Sequence, residues 1–174
     1  SEKEKLVEEV RRIIERHKRV TEELLKELRR ILKEWEDVSR DIERRVREIL
    51  ERLERAARDG EDKRLVRELV KDIERLLKKL LDDSKKIVKE IDEVLKELLK
   101  TDEELVRRIR EKLERADKDK DLEELKKELE DSARRSKKLA DDVREELKTL
   151  LRESERIIKE LRKELEKLLR EVEK

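Results

Sequence analysis

The feature that most limits what this chain can become is a spacing. Over its first third the positions expected to face the core read Leu6, Val10, Ile13, His17, Val20, then Leu24, Leu28, Ile31, Trp35, Val38, then Ile42, Val46, Ile49, Leu53, Ala56, each set being the previous one moved by 18 residues. Eighteen residues make five α-helical turns at 3.6 per turn, so the stripe runs straight up an undistorted helix, whereas a seven-residue repeat would wind it into a left-handed supercoil. A neighbouring stripe, Val7, Ile14, Thr21, Leu25, Leu32, Ser39, Leu50 and Ala57, widens the apolar face to what a helix with two partners needs. The same step recurs in Leu69, Ile87, Leu105 and in Ile73, Ile91, Ile109, then again in Leu125, Val143, Leu161 and in Leu129, Leu147, Leu165.

Where the pattern stops, the chain turns. Gly60, in "AARDGEDKR", supplies the left-handed residue that commonly follows a helix, so the first helix ends near Ala57 or Arg58. A second break falls in "ADKDKDLEEL", where charges interrupt the apolar pattern and Asp121 with Glu124 offers helix-capping chemistry, as Ser1 with Glu4 does at the start. These breaks predict helices over about 2–58, 62–117 and 120–173, each roughly 80 Å long at 1.5 Å per residue. The stretch "LLKTDEELVRRI", residues 98 to 109, competes with that division, because Thr101 followed by Glu104 also resembles a capping box. A turn there would leave helices of about 38 and 15 residues beside two of full length, and the apolar phase runs through it unbroken. The stretch is therefore read as mid-helix, which carries Asp102 into the core.

Composition decides between helix and disorder. Charged residues make up 60 % of the 174, against roughly 25 % in an average soluble domain, but 53 basic and 52 acidic residues nearly cancel and Leu, Ile and Val recur regularly throughout. The near-neutral, mixed surface lacks the field that a nucleic-acid or anionic-membrane binder uses. No apolar run approaches the roughly 20 residues of a membrane span, and "SEKEKLVEEV" has no signal-peptide core, so a soluble protein is expected, its localisation open. There is no cysteine, hence no disulfide or thiol chemistry. The expected fold is all-α: a single-chain, antiparallel three-helix bundle forming one domain.

A few core positions are polar, and they align. One position of the second segment runs Val66, Ser84, Asp102, while two of the third run Ser136, Ser154, Val172 and Ser132, Leu150, Leu168. In an up-down-up bundle with short loops, His17 and Thr21 come level with Thr101 and Asp102, and with Ser132 and Ser136. A second layer, roughly 27 Å along the axis at 1.5 Å per residue, gathers Trp35, Ser39, Ser84 and Ser154. Buried polar groups persist when they satisfy one another, so two hydrogen-bonded layers between apolar ones are expected, with Ala133 and Ala140 making room beside the first. Trp35 reads as an apolar filler whose indole N–H needs an acceptor. Runs such as "EKEK" read as solvated faces.

The same residues have a sharper reading. Ser132 or Ser136, His17 and Asp102 are the types of a nucleophile, base and orienting acid. No glycine-rich turn offers backbone donors for an oxyanion hole, however, and the filled stripes imply no cleft. One His with one Asp falls short of the three protein ligands of catalytic zinc, and neither a phosphate loop nor a dinucleotide fingerprint is present, so no catalytic residue, metal or cofactor is expected.

Taken together, the Glu/Lys/Arg surfaces, the Leu/Ile/Val stripes in an 18-residue repeat, the "RDGED" connection and polar layers one repeat apart resemble a de novo designed helical bundle of the parametrically generated kind. That resemblance implies high stability, no evolved activity, and hydrogen-bond networks included for specificity in a scaffold, oligomer or switch. Many such designs assemble from helical hairpins, whereas three helices can close their own core, which implies a monomer without partners and leaves self-association as the alternative. Natural spectrin-type repeats share the helix count and a core Trp, but are supercoiled and use Pro, Met, Phe and Tyr, none of which occurs here.

Overall fold

A computed structural model describes residues 1–116 and 118–173. It contains three helices, α1 (Glu2–Arg58), α2 (Lys63–Arg115) and α3 (Lys120–Glu173), and no strand among the described residues. The fold is all-α, a three-helix bundle. α2 continues without interruption through Thr101 and Asp102.

Each terminus has a local cause. The Ser1 hydroxyl accepts from the Glu4 amide at 3.3 Å, which caps α1. At the other end Gly60 takes a φ of 65°, and the Glu61 amide returns to the Ala56 carbonyl at 3.0 Å, the Schellman closure that left-handed glycine permits. Asp62 precedes α2 as its cap: its carboxylate accepts from the Arg64 amide at 3.2 Å and its carbonyl from Leu65 and Val66, so the helix begins one residue later than expected. The expected end of α2 at residue 117 lies outside the described residues. α3 corrects the expected cap, because Asp119 and not Asp121 fills that place, its carboxylate accepting from the Asp121 amide at 3.4 Å and its carbonyl from Glu123. Two acidic residues close together made the assignment ambiguous in sequence.

By their tertiary contacts the residues divide into two compact units, Ser1–Arg30 with Glu90–Glu146, and Ile31–Lys89 with Leu147–Lys174. Each contains a stretch of all three helices. In the first unit Val10 and Ile14 of α1 pack with Ile109 and Leu113 of α2 and with Leu122, Leu125 and Leu129 of α3. Rising numbers on α1 meet falling numbers on α2 there, as Glu9 faces Lys112 at 3.8 Å and His17 faces Asp102, so these segments are antiparallel. Arg110 of α2 reaches Glu130 of α3 at 2.9 Å, and half-buried Arg144 of α3 reaches Asp92 of α2 at 3.1 Å. Lys3 pairs with Asp119, joining the starts of α1 and α3.

In the second unit the core runs from Trp35, Ile42, Val46, Leu50 and Leu53 of α1 to Ile73, Leu77 and Leu80 of α2, and to Ile158, Leu161 and Leu165 of α3. Arg47 spans two helices, bonding Glu43 on its own and Glu164 on α3 at 3.6 Å. The Glu43 hydrogen bond, ahead of the opposing effect of burial, holds the Arg47 guanidinium above its usual range.

The apolar stripe of α1 is corrected at its edge. Val20 and Val38, one repeat apart, are 55 % and 44 % exposed, and Ile31 is exposed as well, while Thr21, Leu25, Leu32 and Ser39 of the neighbouring stripe are buried. The buried face is thus rotated towards the second stripe. Residues at the far side of the first, 100° of helix away from their buried successors, come out at the rim.

Candidate functional site

The first unit holds a polar cluster built from one side chain of each helix. Asp102, at the repeat position that Val66 and Ser84 occupy earlier on α2, is 5 % exposed. Its Oδ2 accepts a hydrogen bond from the buried Ser136 hydroxyl of α3 at 2.5 Å. Its Oδ1 touches His17 Nε2 of α1, but not in the alignment of an N–H hydrogen bond, so neither atom has a hydrogen-bond partner among the described residues. The carboxylate is therefore the hub of the cluster. An acceptor-only group cannot bond the carbonyls of its own helix, and the donors it needs lie on the two helices opposite.

The other expected members divide. Thr21 is buried one turn along α1 from His17, with no hydrogen-bond partner for its Oγ1 among the described residues. Ser132 is half-buried and lines two small cavities beside His17. Thr101 is exposed, which corrects its placement in a buried layer. A helix turns 100° per residue, so once Asp102 points inward its neighbour points out.

In the second unit Trp35, Ser39, Ser84 and Ser154 are all buried. The Ser39 hydroxyl donates to the Trp35 carbonyl at 2.9 Å and the Ser84 hydroxyl to the Leu80 carbonyl at 2.6 Å, each bond reaching one turn back within its own helix. The Trp35 indole N–H, expected to find an acceptor, has none among the described residues.

What the first cluster can do chemically follows from its order. In a nucleophilic triad the imidazole stands between serine and acid, taking the hydroxyl proton while the acid orients it. Here the carboxylate stands between, and the Ser136 proton points at Asp102 and not at His17. Among the described residues no group of three or more His, Cys, Asp and Glu is placed to hold a metal ion, and no helix is long and apolar enough to cross a membrane.

A cleft does exist, contrary to the expectation from filled stripes. An open groove of about 520 Å³ runs between α2 and α3 of the first unit, lined by Leu99, Val106, Ala133 and Asp102 and by charges of both signs. Its sequence signal is Ala133, a small residue at the repeat position that Leu151 and Leu169 occupy later on α3. The Arg144–Asp92 pair went unread, since nothing separates its charges in sequence from their solvated neighbours.

No protein-family model matches the chain, and no curated protein matches it. Among solved structures, a computationally designed three-helix bundle is similar over 98 % of this chain and 82 % of that one, at 19 % identity and a TM-score of 0.49.

Proposed function

We propose that the chain is a designed scaffold, one monomeric three-helix domain without catalytic activity, in which the polar cluster around Asp102 fixes register. The observation that carries this reading is the eighteen-residue repeat, kept through all three helices and broken at Asp102 by a residue that costs burial energy and makes its contacts with other helices. Buried polar residues of this kind trade stability for uniqueness, a role best attested in coiled coils. A one-turn shift would bring Ile13 against the carboxylate in place of His17, or Ala140 in place of Ser136, in one direction of each helix, whereas an all-apolar interface tolerates the shift. The order of serine, carboxylate and imidazole speaks against a hydrolase.

The test removes the cluster while filling its space. The triple variant His17→Leu, Asp102→Leu, Ser136→Ala should unfold at a denaturant concentration equal to or above the parent's, because replacing all members of a buried polar cluster with packed apolar groups is often neutral or stabilising. It should also lose its single set of amide NMR signals, or its single mass of 21.3 kDa in sedimentation. A variant as uniquely folded and monomeric as the parent would sink the register role. A second reading, an interaction module, is favoured by the groove over Leu99, Val106 and Ala133. Sedimentation of the parent at a multiple of 21.3 kDa would replace the monomer with it.

A further inference from the structure

The contacts of the Asp102 cluster join α1 to α2 and α2 to α3, but none of them joins α1 to α3. On that third side sits Thr21, 3 % exposed, its Oγ1 without a hydrogen-bond partner among the described residues. Thr21 and His17 of α1, with Ser132 and Ser136 of α3, line a narrow crevice of about 10 Å³ to which Leu139 adds an apolar wall and the exposed Lys18, Glu22 and Arg135 a charged rim. That volume is close to the one-sphere minimum for a water molecule and excludes any organic group. A water held in place there needs two to four polar partners, and the inner end of the crevice provides them from both helices.

We propose that this crevice is a specific single-water site that closes the cluster into a ring. The Thr21 hydroxyl donates to the water. Ser136 has committed its only proton to Asp102, so its oxygen is free to accept one of the water's protons, and the Ser132 oxygen can accept the other. Accepting that proton polarises the Ser136 hydroxyl and makes it a stronger donor to the carboxylate, so the water supports a bond it does not touch. The proposal rests on the Asp102 cluster assigned above. Its competitor is local: Thr21 could rotate and donate to the His17 carbonyl one turn back, as Ser39 and Ser84 do to theirs, and the crevice would then have no donor to offer.

Crystal structures of the whole chain and of its Thr21→Val variant separate these outcomes. The parent should show one ordered water within hydrogen-bond reach of Thr21 Oγ1 and of a serine on α3, and the near-isosteric valine should abolish it. Thr21→Ser, which keeps the hydroxyl, should retain the water and guards against a valine variant that fails to fold. A parent with Thr21 Oγ1 on the His17 carbonyl, or a crevice closed by side-chain shifts, overturns the water site while leaving the contacts of Asp102 with His17 and Ser136 in place. A parent lacking those contacts overturns the cluster as well.

Discussion

Ser84 and Asp102 stand one repeat apart on α2, both with less than a tenth of their surface exposed, and they solve burial in opposite ways. In the second unit the serine hydroxyl turns back to the Leu80 carbonyl of its own helix. In the first the carboxylate meets His17 and Ser136 on two other helices. The difference lies in donor and acceptor inventory more than in position. A hydroxyl carries a proton, and every residue of a helix has a carbonyl one turn back that will take it. A carboxylate can only accept, and helix-interior amides are already bonded, so it must draw donors from elsewhere. One acidic residue thus converts a row of buried polar positions from three self-contained helices into a joint between them.

That contrast breaks most severely at its hub. Asp102→Ala should cost about 2 kcal/mol, because it takes from the buried Ser136 hydroxyl the acceptor it donates to and from half-buried His17 the carboxylate it faces, and an orphaned buried group bears a desolvation penalty on the order of 1–3 kcal/mol. Urea unfolding measures the loss. Amide hydrogen exchange should place it in the first unit, with faster exchange around Ser136 and unchanged protection around Leu77 and Leu161. A loss below about 1 kcal/mol would mean that the carboxylate is solvated in solution and the two units do not differ as described.

Ser136→Ala sharpens the same point with a smaller change. It removes one donor from the carboxylate, and hydrogen bonds to charged groups contribute about 1.5–3 kcal/mol, so a loss near the lower end, about 1.5 kcal/mol, is expected from denaturant midpoints. A neutral result would show that the hydroxyl prefers its own helix, as the serines of the second unit do.

How much of this was legible in the sequence divides along the same physical line. Position was legible, because the 18-residue step is a geometric property of the helix: it placed His17, Asp102 and Ser136 on three helices that meet, and it carried α2 through Thr101. Thr101 itself was misplaced by treating a height along the bundle as if it were a face of the helix. The rim positions Val20 and Val38 were misplaced for a related reason, since a stripe records which side is apolar but not where the partners' contact ends. Bonding partners were legible only for the carboxylate, which has a single role. Ser39, Ser84 and Thr21 could each donate locally or across, and side-chain rotamers, which the repeat does not encode, make that choice. The groove over Ala133 was half legible: the missing volume is in the sequence, but whether neighbours close over it depends on helix separation.

The smallest effect is the most discriminating, because it applies the Ser136 substitution to the other unit. Ser84 is 0 % exposed, and by burial alone its loss should matter at least as much as that of Ser136. Its bond, however, goes to the Leu80 carbonyl, an acceptor inside a helix that carries its own backbone hydrogen bond whether or not the serine is present. Ser84→Ala therefore removes donor and polar atom together and strands no partner. Alanine also has the better helix propensity, by a few tenths of a kcal/mol, and ends the slight distortion that a back-bonded serine imposes. Against these gains stands a void of about one oxygen atom. The net change in unfolding free energy should lie within about 0.5 kcal/mol of zero. The same measurement on Ser136→Ala should exceed it by about 1 kcal/mol or more, since only there does the hydroxyl serve a buried carboxylate. Equal losses at the two sites would mean that burial, and not the identity of the acceptor, sets the worth of a serine in this core.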